Sequence, residues 1–416
     1  MRASLRVLFL CRECGDELGA GGIGTYVHTI ARALARRGHE VHVLSCVQGQ
    51  AARDFRRAGV HLHVRGARRL LPKVRRRLPA TALRIEASLS SYLEARRLEV
   101  SFDVVEAPDW MAEGFAFGLL RSPPLVAHLH TPLVLVGQHN PGSFRWSRDG
   151  RLASLVERFA VRRADVITSP SHLLVRDLDR HGWLKNRETR VVRYPIELEP
   201  WARVPPADSA PPRVLAVGRL EVRKSPEVVV RAAHALSSEV EGLDVVFVGR
   251  SLERNGRPYR DWLGELADEL DVRCSFVDEV PRDELPAWYA SSRAVVVASR
   301  YDNFPFSALE AMAAGRPLVV TEATGTAEIV DGTDAGAVVA VGDAGGLADA
   351  LRPYLLDRDA ARRAGAAARF LVERHCSPAR VADDREACYW EAVRRRKLDG
   401  SHPWLARRRT TTLPFL

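Results

Sequence analysis

Short apolar runs rich in β-branched residues recur along the chain, separated by longer stretches whose apolar positions follow a helical period. "LRVLFLC", "EVHVLSC", "VHLHV", "FDVVEAP", "PLVAHLH" and "ADVITSPS" mark the first half; "RVLAVGR", "DVVFVGR", "VRCSFVDE", "RAVVVAS" and "PLVVTEA" mark the second. They predict strands, and because nearly every position is apolar, strands buried on both faces. Strands alternating with helices build βαβ units, so the expected fold is α/β: two Rossmann-like, doubly wound parallel sheets facing across a cleft. Pro195 to Arg213, "PIELEPWARVPPADSAPPR", is proline-rich, has no period and reads as the linker. The expected division is residues 1–195, residues 196–378, and a final segment 379–416 that starts as an amphipathic helix crossing back to the first domain and ends as a tail.

Composition narrows the class. A chain of 416 residues fits two domains of roughly 200 residues each. No apolar run approaches the ~20 residues a membrane-spanning helix needs, and the first apolar stretch is too short for a signal peptide, which points to a cytoplasmic protein. Six scattered cysteines suit reduced thiols. Cys11 and Cys14 form a lone C-x-x-C with no second pair or histidine cluster beside it, so zinc and redox chemistry are disfavoured. The net charge of +10 is uneven: seven basic residues from Arg65 to Arg77 are interleaved with Leu70, Leu71, Val74 and Leu78. This stretch reads either as a peripheral contact with an anionic membrane or as a solvated basic face; no nucleic-acid partner is expected.

Ligands of open parallel sheets bind beyond the carboxyl ends of the strands. In the first half those positions hold Gly21, Gly22, Ile23 and Gly24, then Glu106 and Asp109, His130, Ser169 and Ser171. In the second they hold Arg219 and Lys224, Gly249 and Arg250, Asp302, and Glu322 with Gly325 and Glu328. The glycine loop opens a helix whose N-terminal amides suit an anion, unless it is a turn without a ligand. It fails the nicotinamide fingerprint, because Val27 stands where the third glycine belongs and the glycines begin about ten residues after the strand. Arg219 and Lys224 read as cations for a diphosphate or as surface charges. In "SRYDNFPFSALEAMAAGRPLVV", Asp302 lies in a loop, Pro305 suits a first helical turn, and Gly315 caps the helix. Glu310 then falls ~10 Å from Asp302, and two carboxylates so spaced can accept hydrogen bonds from successive parts of one ligand. Glu310 also reads as an ordinary helix charge, and His128 and His130 as core residues sharing one strand face.

Taken in order, "GGIGTY", "GHEV", "FDVVEAPDW", "HLHTP", "ADVITSPS", "VGRL", "VFVGR" and the Asp302 block with "GTAEIV" resemble the retaining GT-B glycosyltransferases of glycosyltransferase family 4, over about residues 5 to 398. The resemblance implies sugar transfer from a nucleotide diphosphate sugar to an acceptor hydroxyl, with retention, no obligatory cofactor and no metal. It favours a UDP-sugar over a GDP-sugar. By this similarity His130, Arg219, Lys224 and Asp302 form the reacting centre, Asp302 standing in the first acidic position of the family's E-x7-E motif, and Glu310 binds the ribose. Gly22, Ile23, Gly24, Gly249, Arg250, Asn303, Phe304, Pro305, Phe306 and Ser307 complete the donor site, and Glu106 and Asp109 lie on the acceptor side. Two departures stand out: aspartate is one methylene shorter than glutamate, and Ser225 follows Lys224 where the family has glycine. A nucleotide-sugar epimerase and a non-catalytic nucleotide-sugar-binding subunit are the competing expectations.

Overall fold

The apolar runs pair as their pattern predicts. In this computed structural model, which describes residues 4–14, 21–139 and 146–398, the first sheet holds β1 (Arg6–Leu10), β2 (Glu40–Val47), β3 (Arg53–Arg57), β4 (Val60–Gly66), β5 (Val104–Pro108), β6 (Leu125–His128), β7 (Val166–Ser169) and β8 (Thr189–Val191). Its order is β3-β4-β2-β1-β5-β6-β7-β8, parallel except for β3 against β4. The helices between these strands are α1 (Gly21–Arg36), α2 (Pro72–Arg77), α3 (Pro79–Arg97), α4 (Phe115–Leu120), α5 (Leu133–His139), α6 (Arg148–Arg163) and α7 (His172–Arg180).

The second half contributes β9 (Arg213–Val217), β10 (Asp244–Val248), the two-residue hairpin strands β11 (Glu253–Arg254) and β12 (Arg257–Pro258), β13 (Cys274–Val277), β14 (Ala294–Val297), β15 (Leu318–Thr321) and β16 (Gly336–Val339). Six of them form a parallel sheet in the order β13-β10-β9-β14-β15-β16. Its helices are α8 (Pro226–Leu236), α9 (Tyr259–Glu269), α10 (Leu285–Ala290), α11 (Phe306–Ala313), α12 (Ala327–Val330), α13 (Ala344–Leu356) and α14 (Arg358–Cys376), followed by α15 (Pro378–Leu398). Each sheet reverses strand order around its first strand, β1 or β9, which is where doubly wound sheets open a binding crevice.

Three strands of the two large sheets are absent from the apolar pattern. β3, "RDFRR", is an edge strand whose charges stay in solvent, a usual protection against edge pairing. β8 and β16 are short or only half-buried edges, so neither needs a continuous apolar run. α15 lies on the first sheet: Tyr389 donates to Glu106 Oε2 at 2.6 Å and Arg385 reaches the same oxygen at 3.3 Å. All six cysteines are unpaired thiols, and the hydrogen bond with Cys14, together with burial, pushes the Cys11 thiol up. Among the described residues no helix is long and apolar enough to cross a membrane.

The basic stretch is partly neutralised. Arg65 donates to Asp54 at 2.8 Å and Arg75 to Glu86 at 2.6 Å, while Arg68 lies 3.4 Å from Glu94. Arg69, Lys73, Arg76 and Arg77 stay exposed, the last three on α2.

Candidate active site

β9 and β10 end on Gly218 and Gly249, both at φ near +142°, where only glycine is at ease. A Cβ on Gly249 would stand 2.4 Å from the Gly218 carbonyl oxygen, so the two loops leave the sheet in backbone contact. The first loop carries Arg219, half in solvent, and then a single 3₁₀ turn, Val222–Lys224. Gly218, Arg219, Lys224, Pro226 and Ser299 line a small cavity of about 30 Å³. Ser225, the departure from glycine, takes φ +44° and precedes Pro226 at the start of α8, so a serine is accommodated there at some backbone cost.

The Lys224 ammonium donates to Asp302 Oδ2, and Arg223 Nη1 lies 3.6 Å from the same oxygen while donating to the Tyr301 carbonyl at 2.9 Å. Glu221 bridges the other two guanidiniums, 2.8 Å from Arg223 and 3.2 Å from Arg219. Burial works against the Asp302 carboxylate, but Lys224 and Arg223 outweigh it and hold its pKa below the usual range. Burial also lowers the Lys224 pKa: Asp302 pulls it up, yet the neighbouring Arg223 repels a second cation. Asp302 is therefore a firmly ionised group, and Lys224 holds its proton less tightly than a free lysine.

After Asp302 the chain turns through buried Asn303 and Phe304 into Pro305, the residue before α11. Glu310 sits on the second turn and is 5 % exposed. Tyr289 donates to its Oε2 at 3.0 Å, Arg282 stands 3.7 Å from Oε1, and burial raises its pKa. It is no free surface charge. Ser307 gives its carbonyl to the same Tyr289 hydroxyl at 3.1 Å. The Arg250 side chain is exposed, and its carbonyl accepts from Leu220 at 3.0 Å.

From the first sheet, His130 lies past the end of β6 with Nδ1 2.5 Å from the Tyr194 hydroxyl. Burial, with help from Arg385, lowers its pKa to about 3, so it is a neutral imidazole. Asp109 fixes the His130 backbone: its Oδ1 accepts from the amides of His130 at 2.8 Å and Trp110 at 2.9 Å, while Oδ2 is buried without a partner. Burial raises its pKa to about 8. His128 is wholly buried against Thr168 and belongs to the core.

One expected placement is overturned, and the glycine loop has a partner within the chain. Glu106 is not on an acceptor surface; it is 2 % exposed and bound by Tyr26, Arg385 and Tyr389, an internal tie between β5, α1 and α15. The amides of Ile23 and Gly24 at the start of α1 already hold an anion, the Glu13 carboxylate, with Gly24 N at 2.9 Å. Burial raises the Glu13 pKa, and Arg219 across the cleft draws it back.

The structure brings His130, Lys224, Asp302, Asn303, Phe304 and Phe306 together through a residue the sequence did not flag, Tyr194. Its ring stacks on Phe306 at 5.3 Å and meets Phe304 edge-on at 5.8 Å, and its hydroxyl is bonded by Asn303 and faces His130. Tyr194 lies in an unpatterned segment beside the linker and carried no signal. Arg223 and Arg282 were also missed; Arg223 at least adjoined Lys224 in a charged loop. Further ties join the halves. Arg282 donates to Thr25 at 2.6 Å, His139 stacks on Tyr301 at 4.1 Å, and Glu328 accepts from the α7 amides of His172 and Leu173 at 3.1 and 2.7 Å. Gly325 is pressed between Asn303 and Ser171.

Comparison with known proteins gives two family matches: residues 20–200 match the model described as Glycosyltransferase Family 4, and residues 199–370 the one described as Glycosyl transferases group 1. A glycogen synthase of Mycobacterium tuberculosis is 30% identical over 369 residues, covering 84% of this chain and 86% of its own. Among solved structures, a sucrose-phosphate synthase from Thermosynechococcus elongatus superposes with a TM-score of 0.74 at 22% identity, over 95% of this chain and 100% of its own. Anabaena HepE in complex with UDP-glucose superposes with a TM-score of 0.66 at 17% identity, over 92% and 99%.

Proposed function

The chain belongs to glycosyltransferase family 4 and has the GT-B fold, and from that premise we propose that it moves a sugar from a nucleotide diphosphate sugar to an acceptor hydroxyl with retention of configuration and without a metal. The observation that carries this reading is the cation set Arg219, Arg223 and Lys224 gathered with Asp302 where β9 and β14 end, and joined through Tyr194 to His130. Breaking the bond from sugar C1 to the phosphate oxygen loads charge on the departing diphosphate. Preorganised cations lower that barrier because they need not reorient as the charge grows. Arg219 is half exposed and free to close on the diphosphate, and Lys224 turns from Asp302 to a phosphate oxygen when the donor enters.

Asp302 is then released to sugar hydroxyls as an ionised acceptor of hydrogen bonds. Engaged by the sugar hydroxyls and still 3.6 Å from Arg223, that carboxylate is a weak nucleophile, which favours attack by the acceptor on the face the diphosphate leaves. In that step the acceptor oxygen bonds to C1, the C1–phosphate bond breaks, and the acceptor proton passes to a leaving phosphate oxygen. Neutral His130 orients a sugar hydroxyl, the amides of Phe304 and Phe306 face phosphate, and Glu310, still held by Tyr289, binds the ribose. Gly249 and Arg250 border the nucleotide, and Gly22 the diphosphate. Residues 1–195 form the acceptor side, with Asp109 behind it, and 196–378 the nucleotide-sugar side. The donor is a UDP-sugar, supported by the UDP-glucose held in HepE. The stretch Arg65 to Arg77 makes a peripheral contact with anionic lipid at the cytoplasmic face through Arg69, Lys73, Arg76 and Arg77.

Thermal shift against UDP- and GDP-sugars identifies the donor, since a ligand bound only by the folded state raises Tm. Transfer from that donor in chelator, with the product anomer read by NMR, completes the test. An inverted product, or activity lost to the chelator and restored by a divalent ion, would defeat the proposal.

A further inference from the structure

The helix α6 turns small residues and Glu157 inward and three of its large apolar side chains outward. Ala153, Ser154, Glu157, Ala160 and Val161 are buried, while Leu152, Leu155 and Phe159 point to solvent at 40 %, 53 % and 37 % exposure. At ~100° per residue these three share one side of the helix, and Arg151, Arg158 and Arg162 run as a second row beside them. Both acids of α6 are turned away. Asp149 accepts from the Ala80 and Thr81 amides at the start of α3, and Glu157 is buried against Arg84 at 2.8 Å. Among the described residues no carboxylate pairs with Arg148, Arg151, Arg158 or Arg162.

The surroundings extend this character. Leu119 and Leu120 of the neighbouring α4 are about half exposed, and Trp146 stands exposed just before α6. Trp146, Arg151, Arg158, His181 and Trp183 line a groove of about 420 Å³ along the arginine row. Through Asp149, α6 is tied to the start of α3, which directly follows α2 with its exposed Lys73, Val74, Arg76 and Arg77. Seven of the eleven large apolar side chains exposed among the described residues lie on α2, on α4, on α6 or just before α6. An apolar patch in water costs free energy unless something covers it.

We propose that the outer face of α6, flanked by α2 and α4, is a docking surface for an anionic lipid bilayer: Leu152, Leu155 and Phe159 enter the boundary of headgroups and acyl chains, and the arginines engage lipid phosphates. Charge selects this occupant. A face with apolar residues, arginines without a carboxylate partner and, among the described residues of α2, α4 and α6, no exposed acid matches a negatively charged interface, and aromatic side chains such as Trp146 suit the headgroup level. The inner side of the same helix reaches the reaction site, since Glu157 accepts from Leu133 N at 2.9 Å and so anchors the segment after His130. Docking would hold the mouth of the first domain at the bilayer surface. The inference deepens the lipid contact proposed for Arg65 to Arg77 by placing the apolar insertion on α6, so vesicle binding that survives the α6 variants would leave that contact and remove this one; it does not depend on which donor is used.

The test is co-sedimentation of the full chain with phosphatidylcholine vesicles, with and without about one third phosphatidylglycerol. Binding is expected only to the anionic vesicles, and to fall as salt rises from 0.1 to 1 M, because the screening length shrinks from about 10 to 3 Å. Leu155→Glu with Phe159→Glu should abolish it, and Arg151→Ser with Arg158→Ser should weaken it about fivefold per arginine. The arginine pair keeps the test decisive if the glutamate pair does not fold. Each variant's thermal shift with the donor nucleotide reports the donor site separately. Equal binding to neutral vesicles, binding unchanged in both variants, or a dimer in sedimentation velocity that the glutamate pair dissociates would overturn the proposal.

Discussion

Replacing Lys224 by alanine separates transition-state stabilisation from substrate binding. In the unliganded site the ammonium is already committed to Asp302, with the lysine and aspartate side chains 19 % and 13 % exposed. Binding the donor exchanges one anionic partner for another, so the net gain in the ground state is small. At the transition state the diphosphate carries more charge than the substrate did, and the loss of Lys224 is felt in full. One preorganised donor of this kind is worth about 3 to 4 kcal/mol, a fall of ~10² to 10³ in kcat, while KM should move by less than about tenfold. The two residues are in direct contact and Arg223, 3.6 Å from Asp302, acts on both, so the double variant Lys224→Ala, Asp302→Asn should deviate from additivity by about 0.5 to 3 kcal/mol. Initial rates of nucleotide diphosphate release, measured with saturating acceptor, give all the values. A Lys224→Ala enzyme that keeps its kcat within about threefold and raises only KM would refute the reasoning, because Lys224 would then be a plain binding residue.

Three further outcomes are expected. A methyl group in Gly325→Ala would stand 1.6 Å from the Asn303 carbonyl oxygen and 2.7 Å from Ser171 Cβ, so the loop after β15 must withdraw and pull apart the halves; transfer should fall steeply with far-ultraviolet circular dichroism unchanged. Asp109, with its pKa raised to about 8, keeps its proton in the folded state long after the unfolded chain has lost it, so its contribution to stability declines as pH rises from about 4 to 8. Asp109→Asn should remove that decline, and Tm against pH from 6.5 to 8.5 should be flatter than wild type by a difference worth about 2 kcal/mol. Glu13→Gln keeps an acceptor for the Gly24 amide and removes the anion facing Arg219; if Glu13 competes with the donor phosphate, affinity for the nucleotide diphosphate should rise by titration calorimetry, and an unchanged or weaker affinity would assign Glu13 to loop support alone.

The strand-end rule places loop residues together where a charged loop follows an apolar run. It selects Lys224 and Asp302, since β9 and β14 announce themselves and a loop residue after a buried strand has few places to go, and the structure brings the two side chains into one ion pair. The same rule misplaced Glu106, because the last residues of β5 are themselves buried and α15, nearly 280 residues away along the chain, arrives to cover them. It also could not show that the anion site of the glycine loop is already filled by Glu13.

Periodicity dictates which segments become strands or helices, and strand alternation with helices dictates two parallel sheets, because these are local and pairwise consequences of burying apolar side chains. Partnership across the chain is a different matter. The ion pair of Lys224 with Asp302 spans 78 residues, and Tyr194 draws its neighbours from both sheets. Such contacts follow from where the sheets place their loops, which no local pattern records. The sharpest case is α6: its apolar period alone would turn Leu152, Leu155 and Phe159 to the core, but Glu157 is drawn inward by Arg84 and the Leu133 amide, and Ser154 and the small alanines share that close-packed side. Buried polar bonds and the space available between elements, not hydrophobicity along the sequence, set which side of that helix meets the solvent.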